Sequence, residues 1–289
     1  MLTSNHNIKI LWDGSAAIVV HKPAGIATQA ADGIESLETL LRKQLAERTD
    51  YLAFPHRLDR PVSGVLLVAT RKRAARLLSD QFASRKVTKI YLAWVSGKVP
   101  SEELGHWVDH LRKVTDQSRS EIVKPGTEGG QVAETEASLR AYDPATNRSL
   151  LELSPRTGRM HQLRLQTAHR GFPIIGDWQY GGQKMVGESS NFAAETGKNA
   201  DHSDDDLPKS KSRSNHETAQ ASDSGESQAA AERPDSELET PGSEFKSTTR
   251  GIARQCDQIL LQAQRIEFHD PTNGTLQTVT ASDELPQSV

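Results

Sequence analysis

Little in this 289-residue chain supports chemistry that depends on a metal, a disulfide or a nucleotide cofactor. The single cysteine, Cys256, has no partner for an internal disulfide and cannot supply a cysteine-based zinc site. The ten histidines show no HExxH or comparable ligand spacing, so no metal is expected. There is no P-loop and no GxGxxG turn, which leaves a nucleotide cofactor without sequence support, and no internal repeat. No apolar run approaches the length of a membrane span. The first residues, Met1-Leu2-Thr3-Ser4-Asn5-His6-Asn7, lack a charged region followed by an apolar stretch. A reduced, cytoplasmic protein without membrane or metal partners is the simplest expectation, and a monomer the expected state.

Hydrophobic residues are also scarce, at 35%, and the shortage is local. Residues 185–250 are rich in Ser, Glu, Asp, Ala and Gln, include the run Asp204-Asp205-Asp206, and hold few large apolar side chains. Such a stretch cannot bury enough surface to offset its ordering entropy, so a disordered or loop-like insertion is expected there. It carries 14 acidic and 7 basic residues. Removing it from the chain totals of 38 and 35 leaves 24 acidic and 28 basic residues, so the overall charge of −3 hides a remainder of +4. A mildly basic body is compatible with phosphate-backbone binding without demanding it.

Outside the insertion the chain alternates short β-rich runs with two clear helical stretches. Ile8-Lys9-Ile10-Leu11-Trp12 and Ala16-Ala17-Ile18-Val19-Val20 read as a hairpin across Asp13-Gly14-Ser15. Leu37, Leu40, Leu41 and Leu45 recur at helical spacing behind a Ser36 cap, and Ala74, Leu77, Leu78 and Phe82 form one stripe of a helix over 71–86. Residues 88–95, 133–142 and 149–153 read as strands, 159–169 as a helix, and Ile259-Leu260-Leu261, Ile266-Glu267-Phe268 and 276–280 as strands. Strands outnumber helices and most connections are hairpin-like. That predicts an α+β fold on a mixed, largely antiparallel β-sheet with flanking helices. The strands after Gly251 are too few for a core of their own. The expected organisation is a catalytic domain of about 220 residues, in two parts at 1–184 and 251–289, interrupted by the insertion at 185–250.

The run His56-Arg57-Leu58-Asp59-Arg60-Pro61-Val62-Ser63-Gly64 places an aspartate between two arginines just before the apolar strand Val65-Leu66-Leu67-Val68-Ala69. A carboxylate flanked by guanidinium groups is held ionised near neutral pH and faces polyanionic ligands. The same residues also fit a surface turn, with Asp59 bonded to nearby amides and Pro61 fixing the bend. Three further motifs accompany it: His21-Lys22-Pro23-Ala24-Gly25, Lys89-Ile90-Tyr91-Leu92-Ala93, and Thr157-Gly158-Arg159-Met160-His161-Gln162-Leu163-Arg164. In this order the four resemble the RluA-type pseudouridine synthases, from about Ile8 to Gly182 and again near Gly251. The start at Ile8 resembles the free-standing members, which carry no S4 domain.

The resemblance implies the pseudouridine synthase fold, with the chain returning to the same sheet after its break, and an isomerase that needs no cofactor and acts on ribosomal or transfer RNA. It implies Asp59 as the catalytic carboxylate, either attacking the ribose or taking a proton to give a glycal; the residues leave both open. It implies Arg164 as the cation paired with Asp59. Tyr91 becomes the active-site tyrosine, with a face for stacking on the base and a hydroxyl for proton transfer. Arg57 matches the residue that helps extrude the target nucleotide, since a guanidinium can fill vacated stacking space. His56, Arg159, His161 and Lys22 are expected to contact RNA or shape the pocket. Val62, Met160 and the triplet Leu261-Gln262-Ala263 depart from the usual family residues without removing a group the chemistry requires. A non-catalytic RNA-binding protein on the same scaffold is the alternative. A glycosidase would need a second acid paired with Asp59, and none lies in the other motifs.

Overall fold

The computed structural model describes residues 7–182, 258–281 and 285; the insertion expected at 185–250 lies outside them. The first hairpin forms as read, with β1 (Ile10–Asp13) antiparallel to β2 (Ala17–Lys22). Helix α1 (Leu37–Gln44) starts at Ser36, whose hydroxyl accepts the Thr39 N–H while the Thr39 hydroxyl oxygen accepts the Ser36 N–H. This reciprocal cap satisfies two otherwise orphaned donors. Strand β3 (Ser63–Ala69) is buried along its whole length, so its apolar run is continuous and not alternating. Helix α2 (Lys72–Ala83) packs on β3 through the Ala74 and Leu78 side of its stripe.

The remaining strands are β4 (Thr88–Ser96), β5 (Gly105–Lys113), β6 (Ser120–Val123), β7 (Gln131–Asp143) and β8 (Arg148–Pro155). Helix α3 (Gln162–His169) follows, then β9 (Leu261–His269) and β10 (Leu276–Thr280). All ten strands join one sheet in the order β1-β2-β3-β9-β4-β8-β7-β5-β6, with β10 paired to β9 off this path. The α+β expectation holds. Three details differ. Strands β5 and β6 are absent from the sequence reading, the runs at 259–261 and 266–268 meet in one strand that begins only at Leu261, and α3 begins three residues later than its periodicity suggests.

Strand β9 sits between β3 and β4, antiparallel to β4 and parallel to β3 for only two registers, Ser63 with Gln262 and Gly64 with Ala263. Beyond Gly64 the two strands part. The freed edge of β3 is taken up by residues just ahead of the Asp59 loop: Ala53 bridges Ala69, and His56 Nε2 accepts the Leu67 N–H at 3.0 Å. The parting point depends on Gly64, which has φ +117° and lies so close to Ala263 that an added Cβ would fall 2.2 Å from its carbonyl oxygen. Gly64→Ala is therefore expected to cost about 3 kcal/mol or more, since the clash is with backbone and the conformation disfavours L side chains. Thermal unfolding of the variant, or its loss from the soluble fraction, checks this.

Candidate active site

Asp59 lies in the loop entering β3, and that loop is pinned on both sides. Ahead of it, the Leu58 N–H donates to Thr28 Oγ1 (3.1 Å) and the Thr28 hydroxyl donates to the Leu58 carbonyl (2.9 Å). Behind it, the Val62 N–H closes a turn onto the Asp59 carbonyl at 3.0 Å. Lys22, the last residue of β2, is fully buried, and its Nζ donates to the carbonyls of Pro23 (2.8 Å), Arg60 (3.3 Å) and Val62 (2.8 Å). Burial pushes this ammonium down to about 7, against the pull of the Asp59 charge. The expectation that Lys22 contacts RNA is corrected here. With no exposed surface it reaches no ligand; its charge is consumed inside, holding the backbone that carries Asp59.

Arg164, on α3, is buried and reaches Asp59 across the sheet, with Nη1 3.4 Å from Asp59 Oδ2. Its stronger partner is elsewhere. Nε and Nη2 fork onto Asp177 Oδ2 and Oδ1 at 2.6 and 2.7 Å, Nη2 also donates to Gln179 Oε1 at 3.0 Å, and the guanidinium lies 5.1 Å over the Tyr180 ring. Burial opposes the charge on Arg164, but the hydrogen bonds and charge of Asp177, followed by the charge of Asp59, raise its pKa overall. A bidentate fork fixes the guanidinium plane, so Asp177 aims Nη1 at Asp59.

The carboxylate end of Asp59 opens on a cavity of about 790 Å³. Tyr91 from β4 and His161 ahead of α3 line it with Asp59 and Arg164. His161 Nε2 stands 3.8 Å from Asp59 Oδ2. Burial, then the nearby Asp59 charge, raises the Tyr91 pKa, so the phenol meets a ligand protonated. Both side-chain contacts to Asp59 fall on Oδ2, and among the described residues Oδ1 accepts no hydrogen bond. Besides Arg164 the wall carries Arg57, Arg85, Lys89, Arg156 and Arg159, with Asp59 as its one acid among the described residues. A cleft with this balance concentrates phosphate-bearing ligands over a single carboxylate.

The sequence profile of the RNA pseudouridylate synthase family matches residues 16–169, more than half of the chain. The chain belongs to this family. It is 38% identical over 183 residues to the tRNA pseudouridine synthase C of Haemophilus ducreyi, covering 60% of this chain and 74% of that protein. It is 34% identical over 181 residues to the ribosomal large subunit pseudouridine synthase C of the same organism, covering 60% of this chain and 53% of that protein. The chain thus spans about half the length of the large-subunit relative. The solved structure of human RNA pseudouridylate synthase domain containing 1 superposes with a TM-score of 0.59 at 21% identity, covering 97% of this chain and 85% of that one. The expected synthase fold and isomerase class are thereby borne out.

Within this synthase pocket the other residues singled out in the sequence take different parts. Arg57 is exposed along the cavity, and Arg159 lines it with its Nε–H bonded to the Val132 carbonyl at 2.9 Å. His56 stacks on Phe82 with ring centroids 4.8 Å apart. Burial, with the Lys89 charge adding to it, pushes the His56 imidazole down to about 3. Neutral and bonded to β3, His56 shapes the wall and offers no charge to a phosphate. Burial also takes Lys89 down to about 8, and its Nζ donates to the Thr157 carbonyl at 3.3 Å.

Sequence reasoning missed Asp177 and Tyr180. They stand in a short turn after α3, Asp177-Trp178-Gln179-Tyr180-Gly181-Gly182, whose only signal is an acid directly after the apolar Ile174-Ile175-Gly176. It also missed Gln162, which is buried and braces the turn ahead of α3. Its Oε1 accepts from the Thr157 hydroxyl (2.7 Å) and the Arg159 N–H (3.0 Å), while its Nε2 donates to the Glu134 carbonyl (3.0 Å) and Thr135 Oγ1 (2.9 Å). Among the described residues no group of His, Cys, Asp and Glu is placed to hold a metal ion, and no helix is long and apolar enough to cross a membrane.

Proposed function

We propose that this protein converts uridine to pseudouridine in ribosomal or transfer RNA, with Asp59 as the reacting carboxylate, Arg164 as its paired cation and Tyr91 against the target base. The observation that supports this most directly is the carboxylate of Asp59, anchored through Oδ2 by Arg164 and lining a cavity whose other charged side chains, among the described residues, are cations. A volume of about 790 Å³ admits a flipped-out nucleotide with its phosphates.

In the nucleophilic route an Asp59 oxygen bonds to C1′ as the C1′–N1 bond breaks, and its electron pair leaves with the uracil. The uracil turns, C5 bonds to C1′, and the pair in the C1′–oxygen bond returns to the carboxylate. C5 then loses its hydrogen as a proton and N1 gains one. In the glycal route Asp59 instead takes the C2′ proton as the C1′=C2′ double bond forms and the C1′–N1 pair leaves with the uracil, and it returns that proton to C2′ when C5 bonds to C1′. Both routes require the carboxylate form of Asp59. Tyr91, protonated and half-buried, supplies a stacking face and a donor.

Two curated relatives of similar identity carry names that divide between transfer RNA and the ribosomal large subunit. The substrate class is therefore tested on both pools. Pseudouridine mapping by carbodiimide labelling and primer extension, on RNA from cells with and without the protein, should show a site that disappears on deletion and returns with the wild-type gene. No change at any site would refute the proposal for these RNAs.

Arg57 is suited to enter the stack or meet phosphate, being exposed on the cavity wall. Arg57→Ala is expected to weaken RNA binding several-fold at low salt and to lower the slope of log affinity against log salt by about 1. Fluorescence anisotropy with labelled RNA across a salt series measures both.

A further inference from the structure

His161 has a left-handed backbone, at φ 55° and ψ 26°, although it is not a glycine. That conformation costs about 1 kcal/mol or more for an L residue and persists only where the surroundings hold it. Here the surroundings are the Gln162 side chain, bonded to Thr157, to the Arg159 N–H and to β7, together with the Leu165 N–H, which donates to the His161 carbonyl at 3.0 Å. The result is an imidazole whose side chain is only 9% exposed, with Nε2 3.8 Å from Asp59 Oδ2 and Nδ1 2.9 Å from the Tyr180 hydroxyl oxygen.

The hydrogen bonds of Tyr180 decide which ring nitrogen carries the proton. Its hydroxyl oxygen accepts the Ser120 N–H at 2.9 Å, and the hydroxyl proton then has two acceptors in reach, His161 Nδ1 at 2.9 Å and the Ser120 carbonyl at 3.4 Å. The shorter contact favours Nδ1 as acceptor. At the other edge of the ring a carboxylate oxygen faces Nε2, where a donor is wanted. Both edges select the same tautomer.

Resting on the function proposed above, we propose that Tyr180 holds His161 as the neutral Nε2–H tautomer, and that His161 acts as a positioning residue presenting this N–H to Asp59 Oδ2 during the isomerisation. Arg164 Nη1 already bonds Oδ2 at 3.4 Å, so the Nε2–H facing it from 3.8 Å adds a second donor direction on that oxygen and leaves Oδ1 to react. The groups facing the ring are the acids Asp59 and Asp177, the cations Arg164 and Arg57, and the Tyr180 phenol. Burial lowers the His161 pKa, the Asp59 charge opposes this, and Arg164 adds to the lowering. The ring therefore carries no charge near neutral pH. Protonation on acidification would turn a neutral donor into an ion-pair partner of Asp59 and draw down the reactivity of the carboxylate. Loss of the Tyr180 hydroxyl would free Nδ1 to accept a proton, raising the His161 pKa.

The test uses the full-length protein and RNA tritiated at uridine C5, prepared from cells lacking the protein, because bond formation at C5 releases that hydrogen. His161→Ala should lower kcat by roughly ten- to a hundredfold with KM for RNA within about twofold. His161→Gln, whose amide keeps a donor near the Nε2 position, should recover to within severalfold of wild type and lose the acid limb of the pH–rate profile. Tyr180→Phe should move that limb to higher pH. Nitrogen-15 spectra of the imidazole should show Nε2 protonated and Nδ1 not. Protonation at Nδ1, or a His161→Ala enzyme with wild-type kcat and acid limb, overturns the assignment of His161. A wild-type protein that releases no tritium refutes the proposed function instead, and the nitrogen spectra still judge the tautomer without any turnover.

Discussion

Asp59→Asn should lower pseudouridine formation by about a thousandfold or more while leaving the protein folded and able to bind RNA. The amide is nearly the same size, but it neither attacks C1′ nor accepts the C2′ proton, so both routes through Asp59 close together. The fold tolerates the change because Arg164 keeps its bidentate bonds to Asp177 and its bond to Gln179 when the 3.4 Å contact to Asp59 loses its charge. Lys22 keeps its three carbonyl acceptors as well. RNA affinity is expected to stay level or rise slightly, since a negative charge is removed from a cleft lined by cations. Tritium release and anisotropy on the same preparation separate the two effects. A variant that turned over at the normal rate would remove Asp59 from the mechanism, whatever its affinity.

Asp177→Asn is expected to produce the largest loss of stability among single changes near the site, about 3–5 kcal/mol. Asp177 is 1% exposed and accepts both arms of the Arg164 fork, so its neutralisation leaves a buried guanidinium balanced, among the described residues, by the distant Asp59 charge, the neutral Gln179 and the Tyr180 ring. For a domain of this size that corresponds to a fall in thermal midpoint of roughly 6–20 °C. Activity should fall with it below the melting range, because a guanidinium no longer aimed by Asp177 is free to close on Asp59 and occupy the oxygen that must react. Differential scanning calorimetry and tritium release at a temperature where the variant remains folded measure the two losses separately. An unchanged midpoint would show that Asp177 is not the counter-charge on which Arg164 depends.

The contrast between these two aspartates shows how far the sequence reading reached. Asp59 was singled out by the order of four motifs that resemble the family's, since its own surroundings, an arginine on either side, a proline two residues on and an apolar strand to follow, fit a surface turn as well. Asp177 stands in a stretch with no such pattern, and its importance comes from a partner 13 residues earlier whose guanidinium is turned toward it only when α3 is docked. Strand β5 escaped for a related reason. Trp107 and Leu111 face inward, but Asp109 between them breaks the apolar alternation, because it accepts from Gln166 Nε2 (2.7 Å) and Arg170 Nη1 (3.0 Å) of the segment packed over it. A polar residue whose partners come from another element reads in sequence as an exposed one.

The sequence by itself determined the sheet-rich α+β class, the two capped or striped helices and the family resemblance that singled out Asp59, Tyr91 and Arg164, because each rests on spacing within a few residues or on motif order. Only the tertiary structure decided that Lys22 turns inward to hold the Asp59 loop, that His56 is a neutral wall, that α3 starts after a left-handed His161, and that Arg164 belongs first to Asp177 and second to Asp59. Asp59 and Arg164 are 105 residues apart in the chain and 3.4 Å apart in space. Burial and charge pairing are set by such distances, which vary steeply over a few ångströms, whereas a motif constrains only the order in which its residues arrive.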